Sequence, residues 1–367
     1  MIDERLSRLA KLLVDYSAEI KPNERVVINS EPAAAPLILA VYERALEVGA
    51  FPHISLTLPG QDEAFFRAAA KAQLADISPV QALFYEEYDV LLSIRASTNT
   101  RELNGVDPER QAMRRKALHP LRQRFMDRSA TGELKWTATL FPTEAYAQEA
   151  DMSLRDYEDF VLQACHCDQA DPVAAWQAVH EEQQAAVDWL AGRDQVVISG
   201  PNAALTLSIR DRVFINSDGH HNMPSGEIFT GPVEDSVEGW VRFTYPALVE
   251  GREVAGIELV FEEGRVVKAS AQKNEPYLLR MLEVDEGARY LGEFAIGTNY
   301  GIQQFTKNIL FDEKIGGSFH VALGAGYPET GSKNRSAIHW DMICDMREGG
   351  EIRVDGDLLY ENGAFVI

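Results

Sequence analysis

Apolar positions recur at helical spacing in the opening segment, where Ile2, Leu6, Leu9, Leu13 and Tyr16 fall on one face. The pattern then shortens. RVVINS (25–30) and FPHISLTLP (51–59) read as strands, and the Ala- and Leu-rich PLILAVYERALEVGA (36–50) between them reads as a helix. A helix linking two strands favours a parallel sheet with helices on its faces. YDVLLSIRA (88–96) predicts a further buried strand, and DPERQAMRRKALHPLRQRFMDR (107–128) a helix interrupted near Pro120. Helical spacing returns from Met152 to Leu190.

After DQVVISG (194–200) the periodicity changes from helical to alternating. LTLSIR (205–210), EGWVRFTYPALV (238–249), EVAGIELVFE (253–262) and RVVKASA (265–271) are separated by Gly, Asn and Asp turns, which is the pattern of antiparallel strands. The chain is therefore expected to form an α/β N-terminal domain with a parallel sheet over residues 1–190. A mixed α+β C-terminal domain carrying the chemistry follows over 191–367.

Charge narrows the partners. With 35 Lys and Arg against 57 Asp and Glu, the net charge is −22, which repels phosphate backbones and argues against nucleic acid or an anionic membrane surface. The arginines of 107–128 lie near Glu109 and Asp127 and read as a solvated helix face. Three cysteines are too few for a disulfide framework, and with neither a secretory start nor a membrane-length apolar run the expected setting is the cytoplasm. Cys165-His166-Cys167 falls within the helical pattern, where consecutive side chains cannot converge on an ion.

The candidate chemistry lies after residue 220. In NRSAIHWDMI (334–343), period-two alternation puts Ala337, His339 and Asp341 on one face and Ile338, Trp340 and Met342 on the other. In SFHVALG (318–324), His320 shares a face with Ser318 and Ala322. In LGEFAIG (291–297), Glu293 shares one with Ala295. An ionisable group among apolar strand residues is costly unless paired or bound to metal, and a small neighbour leaves room for an ion. Glu227 follows a Pro/Ser/Gly turn in NMPSGEIFTGPVED (222–235), where a loop becomes a strand. Nearby Asp218, Asp235, His220 and His221 read as loop residues, with the histidines exposed.

Together Glu227, Glu293, His320, His339 and Asp341 form an oxygen and nitrogen donor set suited to Zn, Co or Mn. Five donors, three of them carboxylates, exceed what one catalytic zinc uses, so two ions joined by a bridging carboxylate are expected.

In order and context these segments resemble the thermophilic aminopeptidase family, the dinuclear metallo-aminopeptidases of aminopeptidase T, aminopeptidase S and PepS type. The resemblance covers the whole chain, including the YEDFVLQAC segment, and is densest from Asn222 to Asp357. The family's M-P-x-x-E glutamate matches Glu227, its L-G-E glutamate Glu293, its H-x-A-L-G histidine His320 and its H-x-D pair His339 and Asp341. The tyrosine seven residues after that histidine matches Tyr327. Glu313 is a further candidate ligand, although EKIGGSFH (313–320) is longer than the family's E-N-A-S-C-H form.

The resemblance implies a metal-dependent aminopeptidase with two divalent ions per chain, acting on short peptides with a free N-terminus. It also implies a homodimer with enclosed active sites. A water activated by metal would be the nucleophile. Glu293 would serve as ligand and proton carrier, Glu227 would bridge, and Tyr327 would donate to the oxyanion. Two rivals stand beside it. His320, His339 and Asp341 alone match the two-His-one-carboxylate set of non-haem Fe(II) ring-cleaving dioxygenases, which are similar to this peptidase family. A catalytically silent peptide-binding protein is the other.

Overall fold

The computed structural model describes residues 3–249 and 252–367, so Ile2 of the opening stripe lies outside the described residues. The first helix, Glu4–Leu12, starts where the Asp3 carboxylate caps the Arg5 amide. Leu9, Leu13 and Tyr16 of the stripe are buried as the pattern requires.

The described chain falls into two compact units, one comprising residues up to Ala175 with Gly219–Pro224, the other Trp176–Asp218 with Ser225–Ile367. The change of pattern at residue 190 marks a change of element. Helix Pro172–Leu190 spans the division, and its Ala186 and Leu190 pack in the core of the second unit.

The first unit holds a five-stranded sheet ordered Phe51–Leu56, Arg25–Ser30, Val90–Arg95, Lys135–Leu140 and Asn222–Met223, all parallel. Helix Ala35–Val48 makes the crossover between its first two strands in the chain. The basic segment forms helices Pro108–Ala117 and His119–Ala130, with Pro120 in the first turn of the second, where its missing N–H costs nothing. Not all its arginines are solvated: Arg128 is buried and donates to the carbonyls of Tyr85 and Tyr88 at 2.9 Å. Cys165 and Cys167 are buried just beyond helix Leu154–Ala164 rather than within it. Burial raises both thiols well above their ordinary range, so neither is a poised thiolate.

The second unit is antiparallel. An eight-stranded sheet includes Gln195–Gly200, Ala203–Ser208 and Glu351–Val354, and a five-stranded sheet runs His339–Asp345, Ser318–Gly324, Leu291–Gly297, Glu227–Thr230, Ile215–Ser217. Their facing side chains form one core that includes Ile198, Leu205, Phe294, Phe319, Val321 and Trp340. Two stretches that alternate continuously in sequence are each divided. Residues 238–249 form strands Glu238–Arg242 and Ala247–Val249, separated around Tyr245-Pro246. Residues 253–262 are divided around Gly256, with Glu258–Glu262 forming the second strand.

Candidate metal centre

The five-stranded sheet of the second unit has one face in the core, and its other face carries the ionisable residues. Phe319, Val321 and Leu323 point inward from one strand, and Trp340, Met342 and Cys344 from its neighbour. Alternation therefore sends His320 and Ala322, with His339 and Asp341, to the opposite face. Glu293, Ala322 and Asp341 lie in one row across the three strands, and Ala295 pairs with His320. Ala322 is the small residue between two carboxylates.

Glu293 reaches this face through an irregularity. Leu291 and Phe294 both belong to the core although three positions apart, and the register shifts between Leu291 and Glu293. This bulge at Gly292 absorbs one residue and reverses the alternation. Only glycine fits there, because a Cβ would lie 2.3 Å from the Gly324 carbonyl oxygen and 2.4 Å from the Ala325 carbonyl.

The structure brings together all five donors read from the sequence. His320 Nε2 lies 3.3 Å from Glu293 Oε1 and 3.5 Å from Glu227 Oε2. His339 Nε2 lies 3.3 Å from Asp341 Oδ1 and 3.6 Å from Glu293 Oε2. Two sets of ligand atoms converge, Glu227–Glu293–His320 and Glu293–His339–Asp341, and Glu293 belongs to both. Glu227, Glu293 and His320 are buried, and the His339 side chain is 29% exposed, so the site opens at that end.

The donors fit divalent cations. Glu227 Oε2 and Glu293 Oε2 are buried without a hydrogen-bond partner, an expensive arrangement for carboxylate oxygens unless a cation meets them. Donor atoms held about 2.0–2.2 Å from one ion stand roughly 3–3.5 Å apart, which is close to the separations here. Oxygen and imidazole donors without thiolate suit Zn, Co or Mn.

Without metal, the carboxylates act on the rings. Burial opposes charge on His320, yet Glu293 and Glu227 outweigh it and raise the ring to about 9. Burial likewise opposes His339, but Asp341 and Glu293 raise it to about 10. Asp341 is lowered despite burial because His339 stands beside it, whereas burial prevails at Glu293 and raises it.

Tyr327 lies at the exposed end. Its ring centroid is 5.4 Å from that of His339 and 5.5 Å from that of Phe229. Partial burial and the carboxylates of Glu293 and Asp341 push the phenol up, so it stays protonated. Glu313 follows the short helix Ile309–Asp312. It meets the site through Lys314, which is ion-paired with Glu313 and lies 3.6 Å from Glu227 Oε1. Burial raises Glu313 to about 7 against the pull of Lys314, with Glu227 and Asp341 adding to the rise.

Sequence reasoning missed Lys314, which follows Asp312 and Glu313 in ILFDEKIGGSF (309–319), between apolar residues. Neither His220 nor His221 belongs to this site: His221 is exposed and stacks on Trp136, and His220 is half-buried against Tyr16. Asp218 instead meets His180 Nδ1 at 2.6 Å.

The profile of a family described as thermophilic metalloprotease (M29) matches residues 2–365. Aminopeptidase 2 of Geobacillus stearothermophilus is 29% identical, over 96% of this chain and 94% of its own. Wild-type AmpT from Thermus thermophilus has a similar fold, with a TM-score of 0.86, 24% identity and 99% of each chain covered. The 2,5-dihydroxypyridine dioxygenase of Pseudomonas putida KT2440 also resembles it in fold, with a TM-score of 0.58, 13% identity, and 98% of this chain and 96% of its own covered.

Proposed function

The chain belongs to the thermophilic metalloprotease (M29) family, and on that premise we propose that it is a two-metal aminopeptidase, removing N-terminal residues from peptides. The observation that carries this reading is the position of Glu293, common to two sets of converging ligands. Glu227 and His320 would hold one ion with Glu293, and His339 and Asp341 would hold the other with it. Among the described residues only Glu293 belongs to both sets, so it, rather than Glu227, would bridge. When bound, the ions supply Lewis acidity to the scissile carbonyl and to the attacking water.

The chain's own groups do the rest. The His339 ring is oriented by the Ala325 carbonyl, 2.7 Å from Nδ1. Glu313, near 7 and beside Glu227, is suited to take a proton and return it to the leaving amine at neutral pH. This relieves Glu293, already occupied as a ligand, of the proton transfer expected of it. The Tyr327 phenol donates to the oxyanion of the tetrahedral intermediate.

Purified protein loaded with Zn, Co or Mn should release N-terminal residues from short peptides, and N-acetylated versions should resist. Equal cleavage of both would remove the exopeptidase reading. The dioxygenase reading needs His320, His339 and Asp341 on one ion, whereas the converging sets divide the two histidines. Metal analysis finding one iron per chain, with oxygen uptake, would favour it instead. A homodimer accords with the family resemblance, and light scattering at the monomer mass at all concentrations would count against it. Three buried thiols accord with a cytoplasmic setting.

A further inference from the structure

Lys314 has no exposed surface, and its ammonium points into the carboxylates of the metal centre. Nζ is ion-paired with Glu313 and stands 3.6 Å from Glu227 Oε1. Its placement depends on Gly297, the register partner of Glu227. A Cβ on Gly297 would lie 2.3 Å from the Ile315 carbonyl oxygen and 3.0 Å from the Lys314 carbonyl carbon. Glycine therefore lets the 314–315 backbone lie against this strand. A buried ammonium is tolerated only when paired, and Lys314 takes its pairing from groups that face the metals.

The charges do not balance evenly. With Glu313 in its ionised form, Glu227, Glu293, Glu313 and Asp341 supply four negative charges, and neutral imidazoles supply none. Two divalent ions would meet those four alone, but Lys314 adds a permanent positive charge. Its ion pairs are at the Glu227 end, so an ion there must share Glu227 with the ammonium.

Resting on the two-metal reading, we infer that Lys314 is a resident cation that competes for Glu227 and makes the two metal positions unequal. The Glu293–His339–Asp341 position fills first, and the Glu227–Glu293–His320 position is the weaker, exchangeable one. The lysine thus sets the metal affinity of one position without contacting substrate.

The test is titration of the metal-stripped full chain with Zn2+, followed by calorimetry or chelator competition. The parent should bind in two steps separated by about tenfold or more. Lys314→Met and Lys314→Gln should each tighten the second step by about tenfold and leave the first within about threefold. A purely structural lysine would lower the melting temperature and leave both steps in place. Equal steps in the parent, or a second step unchanged or weakened in folded variants, overturns the inference. A single ion bound by parent and variants alike also overturns it. Should both variants unfold when stripped, two equivalents of Zn2+ must restore the fold, since the second ion then replaces the lost charge. Failure to refold overturns the inference. Two ions bound without peptide hydrolysis would remove the aminopeptidase reading and leave this one standing, whereas no ion bound by any form removes both.

Discussion

His339 Nδ1 lies 2.7 Å from the carbonyl oxygen of Ala325. A carbonyl only accepts, so Nδ1 carries the hydrogen, and the neutral ring presents its Nε2 lone pair to the space beside Glu293 and Asp341. Orientation of a ligand imidazole by a backbone acceptor is a recurrent feature of metal sites. Gly292 makes it possible here, because any side chain at that position would collide with the backbone of Gly324 and Ala325.

Proton release on metal uptake follows from the same rings. With His320 near 9 and His339 near 10 in the metal-free chain, both are protonated at neutral pH, and a cation must displace those protons. Both values are raised, so the competing protonated form predominates below them and fades as pH rises through them. Apparent affinity should climb with pH, by about tenfold per unit for each proton displaced, and level off above about 10. Titration calorimetry in buffers of different ionisation enthalpy should give different heats. Identical heats in every buffer would mean the rings are already neutral.

Ala322 stands between Glu293 and Asp341 in the register and is fully buried. Ala322→Val puts two methyl groups into the space between the carboxylates. At least one ion per chain should be lost, at a cost of about 1–3 kcal/mol from overpacking. Ala322→Gly should keep its metal and lose roughly 0.5–1 kcal/mol. Elemental analysis after gel filtration, with thermal melts, measures both effects. Full metal content in the valine variant would show that the ions lie elsewhere.

Sharing has its own signature. Glu293→Gln removes a ligand from both sets and should reduce metal content by two ions per chain, while Glu227→Gln should lose one and keep the ion at His339 and Asp341. Elemental analysis distinguishes these outcomes, and equal losses would count against Glu293 as the bridge.

Much of this site is legible in the sequence because one face of its sheet is core. Phe319, Val321, Trp340 and Met342 fix the inward face, and alternation then sends His320, His339 and Asp341 outward together. The parallel sheet is equally readable, from an apolar helix between two apolar runs. What escapes the pattern arises from tertiary structure. The bulge at Gly292 reverses alternation where the Gly324 and Ala325 backbone lies too close for a side chain. Asn222–Met223 joins the parallel sheet with two residues, too few to carry a period. Lys314 carries no signal of its own in the sequence, because Glu227, its partner at 3.6 Å, is far away in the chain.

The Tyr327 hydroxyl can be separated from its ring. The ring packs between Phe229 and His339, and its backbone is fixed by the turn Pro328–Thr330, where the Thr330 hydroxyl donates to the Tyr327 carbonyl at 2.7 Å. Tyr327→Phe preserves both and removes one O–H. Partial burial and the nearby carboxylates hold the phenol in its protonated form, so the parent enters the reaction with a donor in place. Loss of one such donor from an oxyanion costs roughly 100- to 1000-fold in kcat. The variant should show that fall, with KM for a short peptide, metal content and melting temperature close to the parent's. A fall in kcat accompanied by lost metal would point to disturbed packing against His339. Turnover at the parental rate would leave the tyrosine as packing and assign oxyanion stabilisation to other groups.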